Sequence, residues 1–103
     1  MRTFILVVMT LACAGPVAAQ TTGNALAGHA LARQWCAACH LVAPGEGRAS
    51  DAAPAFEAVA RRPSTTETGL RVFLQSPHQR MPNYTLTRQE TDDVVAYILG
   101  LRR

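Results

Sequence analysis

The stretch Cys36-Ala37-Ala38-Cys39-His40 decides how the rest of this chain is interpreted. It has the pattern C-x-x-C-H, in which two thiols three positions apart at the end of a helix project to one side. There they can add to two vinyl groups on one edge of a porphyrin, while the adjacent imidazole reaches the iron. The stretch therefore predicts one covalently bound haem c, with Cys36 and Cys39 as its thioether cysteines and His40 as an iron ligand.

Three other uses of the same residues are open at this point. A zinc site would combine Cys36, Cys39 and His40 with a fourth ligand such as His29 or His78, although the chain has no second cysteine pair at zinc-finger spacing. A dithiol redox motif needs a strand-helix-strand context, and no alternating strand pattern is apparent. A plain disulfide between the two cysteines is the third alternative.

The sequence around this stretch predicts an all-α domain. Residues 24–38 contain no proline or β-branched residue and follow a Gly23-Asn24 cap, so they predict a helix that delivers the cysteines at its end. Residues 41–53 contain one proline and two glycines and predict a loop. Residues 54–62 predict a short helix with proline in its first turn.

Two capping boxes predict where the later helices begin. Ser64-Thr65-Thr66-Glu67 predicts a helix over residues 65–75, and Thr87-Arg88-Gln89-Glu90 predicts the start of the last helix. The last helix is expected to carry Asp92 and Asp93 in its first turn, where carboxylates interact favourably with the helix dipole. Its inward side chains are expected to be Val94, Val95, Tyr97, Ile98 and Leu101.

These helices have too few large side chains to close a core by themselves, and a porphyrin would fill the gap. The predicted architecture is therefore a small cytochrome c fold, with about four helices wrapped around one haem. The apolar candidates to line the haem pocket are Phe56, Leu70, Phe73, Leu74 and Val95, and ordinary core packing would use the same positions.

Met81 is the predicted sixth ligand of the iron. It is the one methionine that follows the C-x-x-C-H motif, and Pro82 biases it toward an extended conformation in the connection before the last helix. A thioether opposite an imidazole raises the reduction potential, which suits electron transfer. A gap-filling role in the core is the alternative for Met81, and His78 is its competitor for the iron. His29 is expected to be an exposed histidine.

The first nineteen residues are predicted to be an export signal, which leaves residues 20–103 as the domain. Arg2 precedes an apolar run over residues 4–14, too short for a bilayer core that needs about 20 residues. Small residues at 17–19 then form a cleavage site before Gln20. An uncleaved membrane anchor and lipid attachment at Cys13 are the alternatives.

The charged residues exclude one class of partner. The chain carries a net charge of +3, all its basic residues are arginines, and they are scattered along the sequence. A nucleic-acid partner is therefore not expected, because such proteins concentrate basic residues on one face.

The chain resembles the class I cytochromes c, specifically the small bacterial periplasmic members. The resemblance covers residues 24–101 and rests on four features: Cys36-Ala37-Ala38-Cys39-His40, Ala53-Pro54-Ala55-Phe56, Met81-Pro82 and Val95-Ala96-Tyr97-Ile98. It implies thioethers at Cys36 and Cys39, axial ligation by His40 and Met81, and a backbone carbonyl at Pro54 that accepts from the His40 ring.

The resemblance also has consequences away from the iron. It implies that Gly28 lets the first and last helices cross closely, against Tyr97. Two features depart from the family: Ala53 stands where glycine is common, and the chain has no lysines to form the usual docking ring. Two roles remain open: docking or propionate binding by Arg48, Arg71 or Arg80, and donation to the Met81 sulfur by Asn83 or Tyr84.

The predicted function is that of a periplasmic monohaem cytochrome that carries single electrons between redox enzymes. No catalytic base or nucleophile constellation is apparent, so enzymatic activity is not expected. The protein is expected to lie outside the membrane after signal cleavage, as a monomer or as part of a redox complex. Two alternatives are a permanent cytochrome subunit of a dehydrogenase or oxidase complex, and a haem protein that binds a gas or peroxide at a labile sixth site.

Overall fold

The structure is a computed structural model that describes residues 15, 22–48, 50, 53–77 and 81–102. Four helices occupy this part of the chain: α1 (Ala25–Trp35), α2 (Phe56–Arg61), α3 (Glu67–Gln75) and α4 (Arg88–Gly100). The predicted all-α class is thereby confirmed. None of the helices in these ranges is long and apolar enough to cross a membrane. Apart from Gly15, the predicted export signal lies outside the described residues.

The first helix begins where the sequence predicts. The side chain of Asn24 caps α1 by accepting hydrogen bonds from the backbone N–H groups of Leu26 at 3.0 Å and Ala27 at 3.2 Å. The helix ends at Trp35, three residues earlier than predicted, because Cys36 to His40 form a turn.

The segment predicted as a loop over residues 41–53 contains a short hairpin. Strand β1 (Leu41–Ala43) pairs antiparallel with β2 (Glu46–Gly47) through a turn in which Gly45 has a φ of 75°. The strands have three and two residues, too few to show an alternating pattern in the sequence.

The third helix begins two residues later than its capping box predicts. Its N-cap is Thr66, whose hydroxyl accepts from the Gly69 N–H at 3.0 Å. The hydroxyl of Thr65 instead donates to the carbonyl of Val59 at 2.6 Å and ties the connection to α2. A tertiary hydrogen bond therefore overrides the local capping signal.

The second capping box is confirmed. Thr87 accepts from the Glu90 N–H at 3.1 Å, and the Glu90 carboxylate accepts from the Thr87 N–H at 2.8 Å. Asp92 and Asp93 were predicted in the first turn of this helix, but they lie beyond that turn and are buried. Asp93 accepts a hydrogen bond from the Asn24 N–H at 2.7 Å. It therefore stabilises the start of α1 and does not act on the α4 dipole.

The core forms where α1 crosses α4. A Cβ placed on Gly28 would lie 1.9 Å from the carbonyl oxygen of Asp93, so only glycine allows the two backbones to approach this closely. Around the crossing, the buried apolar residues form one cluster: Ala32, Val42, Phe56, Ala60, Leu70, Val94, Val95, Tyr97 and Ile98.

His29 is not the exposed histidine that the sequence suggested. Its ring stacks on Tyr97 with centroids 4.7 Å apart, and its Nε2 forms a 2.6 Å hydrogen bond with the Glu46 carboxylate. The Tyr97 hydroxyl donates to the carbonyl of Val42 at 2.5 Å. These contacts fasten the hairpin to α1 and α4.

Candidate functional site

The turn after α1 presents the C-x-x-C-H residues. The backbone N–H groups of Cys39 and His40 donate to the Cys36 carbonyl at 3.1 and 2.8 Å, which folds the five-residue stretch tightly. Both thiols are free. Gly47, with a φ of 99°, packs against this turn, and a Cβ there would lie 2.1 Å from the His40 carbonyl oxygen.

The imidazole of His40 is held in one orientation. Its Nδ1 donates to the Pro54 carbonyl oxygen at 2.7 Å, so the ring carries its proton on Nδ1 and leaves the Nε2 lone pair available. The Phe56 ring packs beside it with centroids 5.2 Å apart. A histidine that donates its other N–H to a carbonyl has the orientation and basicity of a metal ligand.

A cavity of about 360 Å³ lies in front of this histidine, within the range of small-molecule and cofactor sites. All seven residues predicted for the site line it: Cys36, Cys39, His40, Pro54, Phe56, Phe73 and Met81. Residues from α1, α2, α3 and the connection before α4 therefore meet at one place.

One of the apolar predictions needs correction. Val95 was predicted to line the pocket, but it is buried in the core among the α4 contacts. Ile98, one turn further along α4, lines the cavity instead, together with Val59. Phe73 lines the cavity as predicted, and 52% of it is exposed.

The polar side of the cavity was missed by sequence reasoning. It is formed by the connection between α2 and α3, through Arg62, Ser64, Thr65 and Thr66. Nothing in the composition distinguishes Arg62 from the other arginines. The capping motif pointed to these Ser and Thr residues only as helix starts.

The arginines proposed as propionate or docking partners lie elsewhere. Arg71 pairs with Asp92 and, at 2.7 Å, with Glu67, so it joins α3 to α4. Arg48 is exposed and does not line the cavity. Arg80 lies outside the described residues, as does His78.

Burial changes the chemistry of one thiol. Desolvation raises the pKa of Cys36 to about 11, so this thiol is neutral at physiological pH. No cluster of three or more His, Cys, Asp or Glu side chains suited to a metal ion occurs in the part of the chain that the structure describes.

Met81 reaches the cavity from a segment of irregular backbone. The Met81 segment, residues 81–87, connects to α4, and Met81 itself is half-buried. The rings of Trp35 and Tyr84 stack with centroids 5.6 Å apart. Within the described residues, neither Asn83 nor Tyr84 donates a hydrogen bond to the Met81 sulfur, contrary to the role suggested for them.

The residues around the cavity suit a flat and largely apolar group with a charged edge. One side offers two thiols and an oriented imidazole, and the thioether of Met81 lines the same space. The walls are apolar, and Arg62 with three hydroxyl side chains gives one polar side. This donor set fits a haem: sulfur and imidazole for covalent attachment and iron, and a guanidinium for carboxylates.

Comparisons with known proteins indicate the family of the chain. The family model described as cytochrome c oxidase, cbb3-type, subunit III matches residues 23–98. The chain is also similar to cytochrome c-552 of Bradyrhizobium diazoefficiens, with 43% identity over 94 residues that cover 91% of this chain and 90% of the relative. No solved structure matches the chain.

Proposed function

Since this chain belongs to the c-type cytochromes, in the family of the cbb3-type cytochrome c oxidase subunit III, we propose that Cys36 and Cys39 form the thioether bonds and that His40 and Met81 ligate the iron. The protein is a small class I cytochrome with one covalently bound haem c, and it carries electrons. Proteins of this family are generally not enzymes, and they work with redox partners.

One observation supports the assignment of residues. Side chains that are far apart in sequence converge on one cavity, where His40 is already oriented by its 2.7 Å hydrogen bond to Pro54. The two cysteines and His40 come from a single turn, while Met81 comes from the connection before α4. This order along the chain is the one expected if the turn attaches the haem and supplies one iron ligand, while Met81 supplies the other ligand from the opposite face.

The haem supplies a centre that gains and loses one electron. The chain tunes that centre. His40 is kept with its proton on Nδ1 by the Pro54 carbonyl, which orients the ring and leaves Nε2 free to bind iron. The buried side chains of Phe56 and Leu70 line the cavity and keep water from it. Arg62 stands where it can neutralise a haem carboxylate.

The proposed setting is the periplasm, after removal of residues 1–19. The support is the sequence pattern: Arg2, an apolar run too short to span a bilayer, and small residues before Gln20. The proposed role there is to shuttle single electrons between redox enzymes.

The test is an optical spectrum of protein exported from a host with cytochrome maturation machinery. We expect covalent, low-spin haem with the ferric sulfur-to-iron charge-transfer band in the wild type. Met81→Ala is expected to lose that band and to bind carbon monoxide, while the exposed control Val72→Ala keeps it. A wild type that lacks the band and binds carbon monoxide readily would favour a gas- or peroxide-binding protein, and absence of covalent haem would refute the proposal.

A second role is favoured by the family description, which names a subunit of an oxidase. In that case the protein would stay bound to a catalytic partner. Affinity purification of the tagged chain from detergent-solubilised native cells distinguishes the two roles. A free carrier is recovered alone, and a subunit is recovered with oxidase polypeptides in fixed ratio.

A further inference from the structure

We propose that the stacked pair Trp35–Tyr84 is a latch that holds the Met81 segment against α1 and so keeps the Met81 sulfur on the iron. The inference rests on the proposed ligation by Met81 and goes beyond it by naming what positions that ligand. Trp35 and Tyr84 are positioning residues in this view, because they act through Met81.

Trp35, the first ring of the pair, belongs to a helix that is packed in the core. Trp35 is the last residue of α1 and directly precedes Cys36, whose N–H donates to the carbonyl of Ala32 at 2.9 Å. The helix is anchored through Gly28 and Ala32 in the core. The position of Trp35 is therefore tied to the thioether side of the cavity.

The other ring belongs to the Met81 segment. Tyr84 follows Met81 by three positions, in irregular backbone where residues 82–85 are exposed. Among the described residues, the hydrogen bonds within residues 82–86 are local: Tyr84 N–H to the Pro82 carbonyl at 3.1 Å and Leu86 N–H to the Tyr84 carbonyl at 3.0 Å. Thr87 joins the end of the segment to α4 through its capping box, but none of these bonds joins the segment to α1.

The stack supplies the attachment that these hydrogen bonds lack. The ring planes of Trp35 and Tyr84 are inclined by 22° with centroids 5.6 Å apart, within the range of favourable aromatic pairs. Both rings and Met81 line the main cavity and also a second, small cavity of about 20 Å³. Loss of the stack is therefore expected to release a part of the cavity lining that includes Met81.

The experiment measures how easily an added ligand replaces Met81 in the ferric, haem-loaded protein. The probe is imidazole, and the readout is loss of the sulfur-to-iron charge-transfer band. Because imidazole binds only when Met81 is detached, its apparent affinity rises in proportion to the detached fraction. Loss of an aromatic pair predicts an apparent affinity for imidazole about 2- to 12-fold higher in Tyr84→Ala.

Matched variants separate the ring from other effects. Tyr84→Phe keeps the ring and is expected to match the wild type, and Thr85→Ala changes an exposed neighbour in the same segment and is also expected to match it. Trp35→Leu removes the partner ring and is expected to raise the apparent affinity for imidazole as Tyr84→Ala does. Trp35→Phe keeps an aromatic ring and is expected to restore the wild-type affinity. If the Trp35 variants do not fold, the three variants of residues 84 and 85 decide the question.

The outcomes distinguish this inference from the proposed function. A wild type without the charge-transfer band overturns the ligation by Met81. A wild type with the band and an unchanged imidazole affinity in Tyr84→Ala overturns the latch while the ligation stands. An equal rise in Tyr84→Phe and Tyr84→Ala also overturns it, because the hydroxyl and not the ring would then hold the segment.

Discussion

The substitution Gly28→Ala tests the crossing of the first and last helices. The new methyl carbon would lie 1.9 Å from the Asp93 carbonyl oxygen, while ordinary contact begins at 3.4 Å, so α1 and α4 must separate by about 1.5 Å. The obstructing atoms belong to the backbone, so they cannot move aside by a change of side-chain rotamer. Overpacking of this kind costs about 1–3 kcal/mol, and we expect the upper part of that range. Alanine has a higher helix propensity than glycine, which offsets about 1 kcal/mol. The free energy of unfolding is therefore expected to fall by about 2 kcal/mol.

Gly100→Ala is the matched control for this substitution. It changes the same residue type at the end of α4, where no atom lies within 4 Å of the new methyl group. Only helix propensity acts there, so the free energy of unfolding is expected to stay constant or rise by up to about 1 kcal/mol. Urea unfolding of the haem-loaded proteins, followed by circular dichroism, gives both values. Equal stability of Gly28→Ala and Gly100→Ala would show that the helices do not cross as closely as described.

Three further substitutions probe the scaffold. Burial and the Glu46 carboxylate raise the pKa of Tyr97, so the folded protein keeps the phenolic proton longer than the unfolded chain. The free energy of unfolding should fall as pH rises above about 10, and Tyr97→Phe should flatten that fall in urea titrations at several pH values. Thr87→Ala removes the α4 capping box and should cost about 1 kcal/mol in thermal unfolding, and no change in melting temperature would speak against the cap. Arg71→Leu leaves the buried Asp92 without its ion pair and should cost about 3 kcal/mol, measured by urea unfolding, whereas a neutral result would mean that the pair adds nothing.

Local signals in the sequence were sufficient for much of this fold. The Asn24 cap and the Thr87–Glu90 box mark helix starts because their hydrogen bonds close within four residues. The C-x-x-C-H stretch points to the cofactor for the same reason, since its chemistry is contained in five residues. Met81, which lines the cavity, could be selected as a candidate because it is the one methionine after that stretch.

Tertiary contacts account for what the sequence did not indicate. The start of α3 moves because Thr65 donates to Val59 on another element. His29 is held between Tyr97 and Glu46, partners far from it in sequence. Arg62 lines the cavity only because α2 places it there. His29 and Arg62 carry no motif, and the capping box at residues 64–67 does not register the bond from Thr65 to Val59, so a pattern-based prediction has no means of finding these contacts.

The crossing of α1 with α4 also bears on how fast the protein can fold. Asn24 and Gly28 find their partner, Asp93, at the opposite end of the described chain. The core therefore closes only when the two ends of the domain have met, and contacts so distant in sequence slow folding. The turn that carries Cys36 and Cys39 follows directly after α1, so its position in the fold depends on the same crossing.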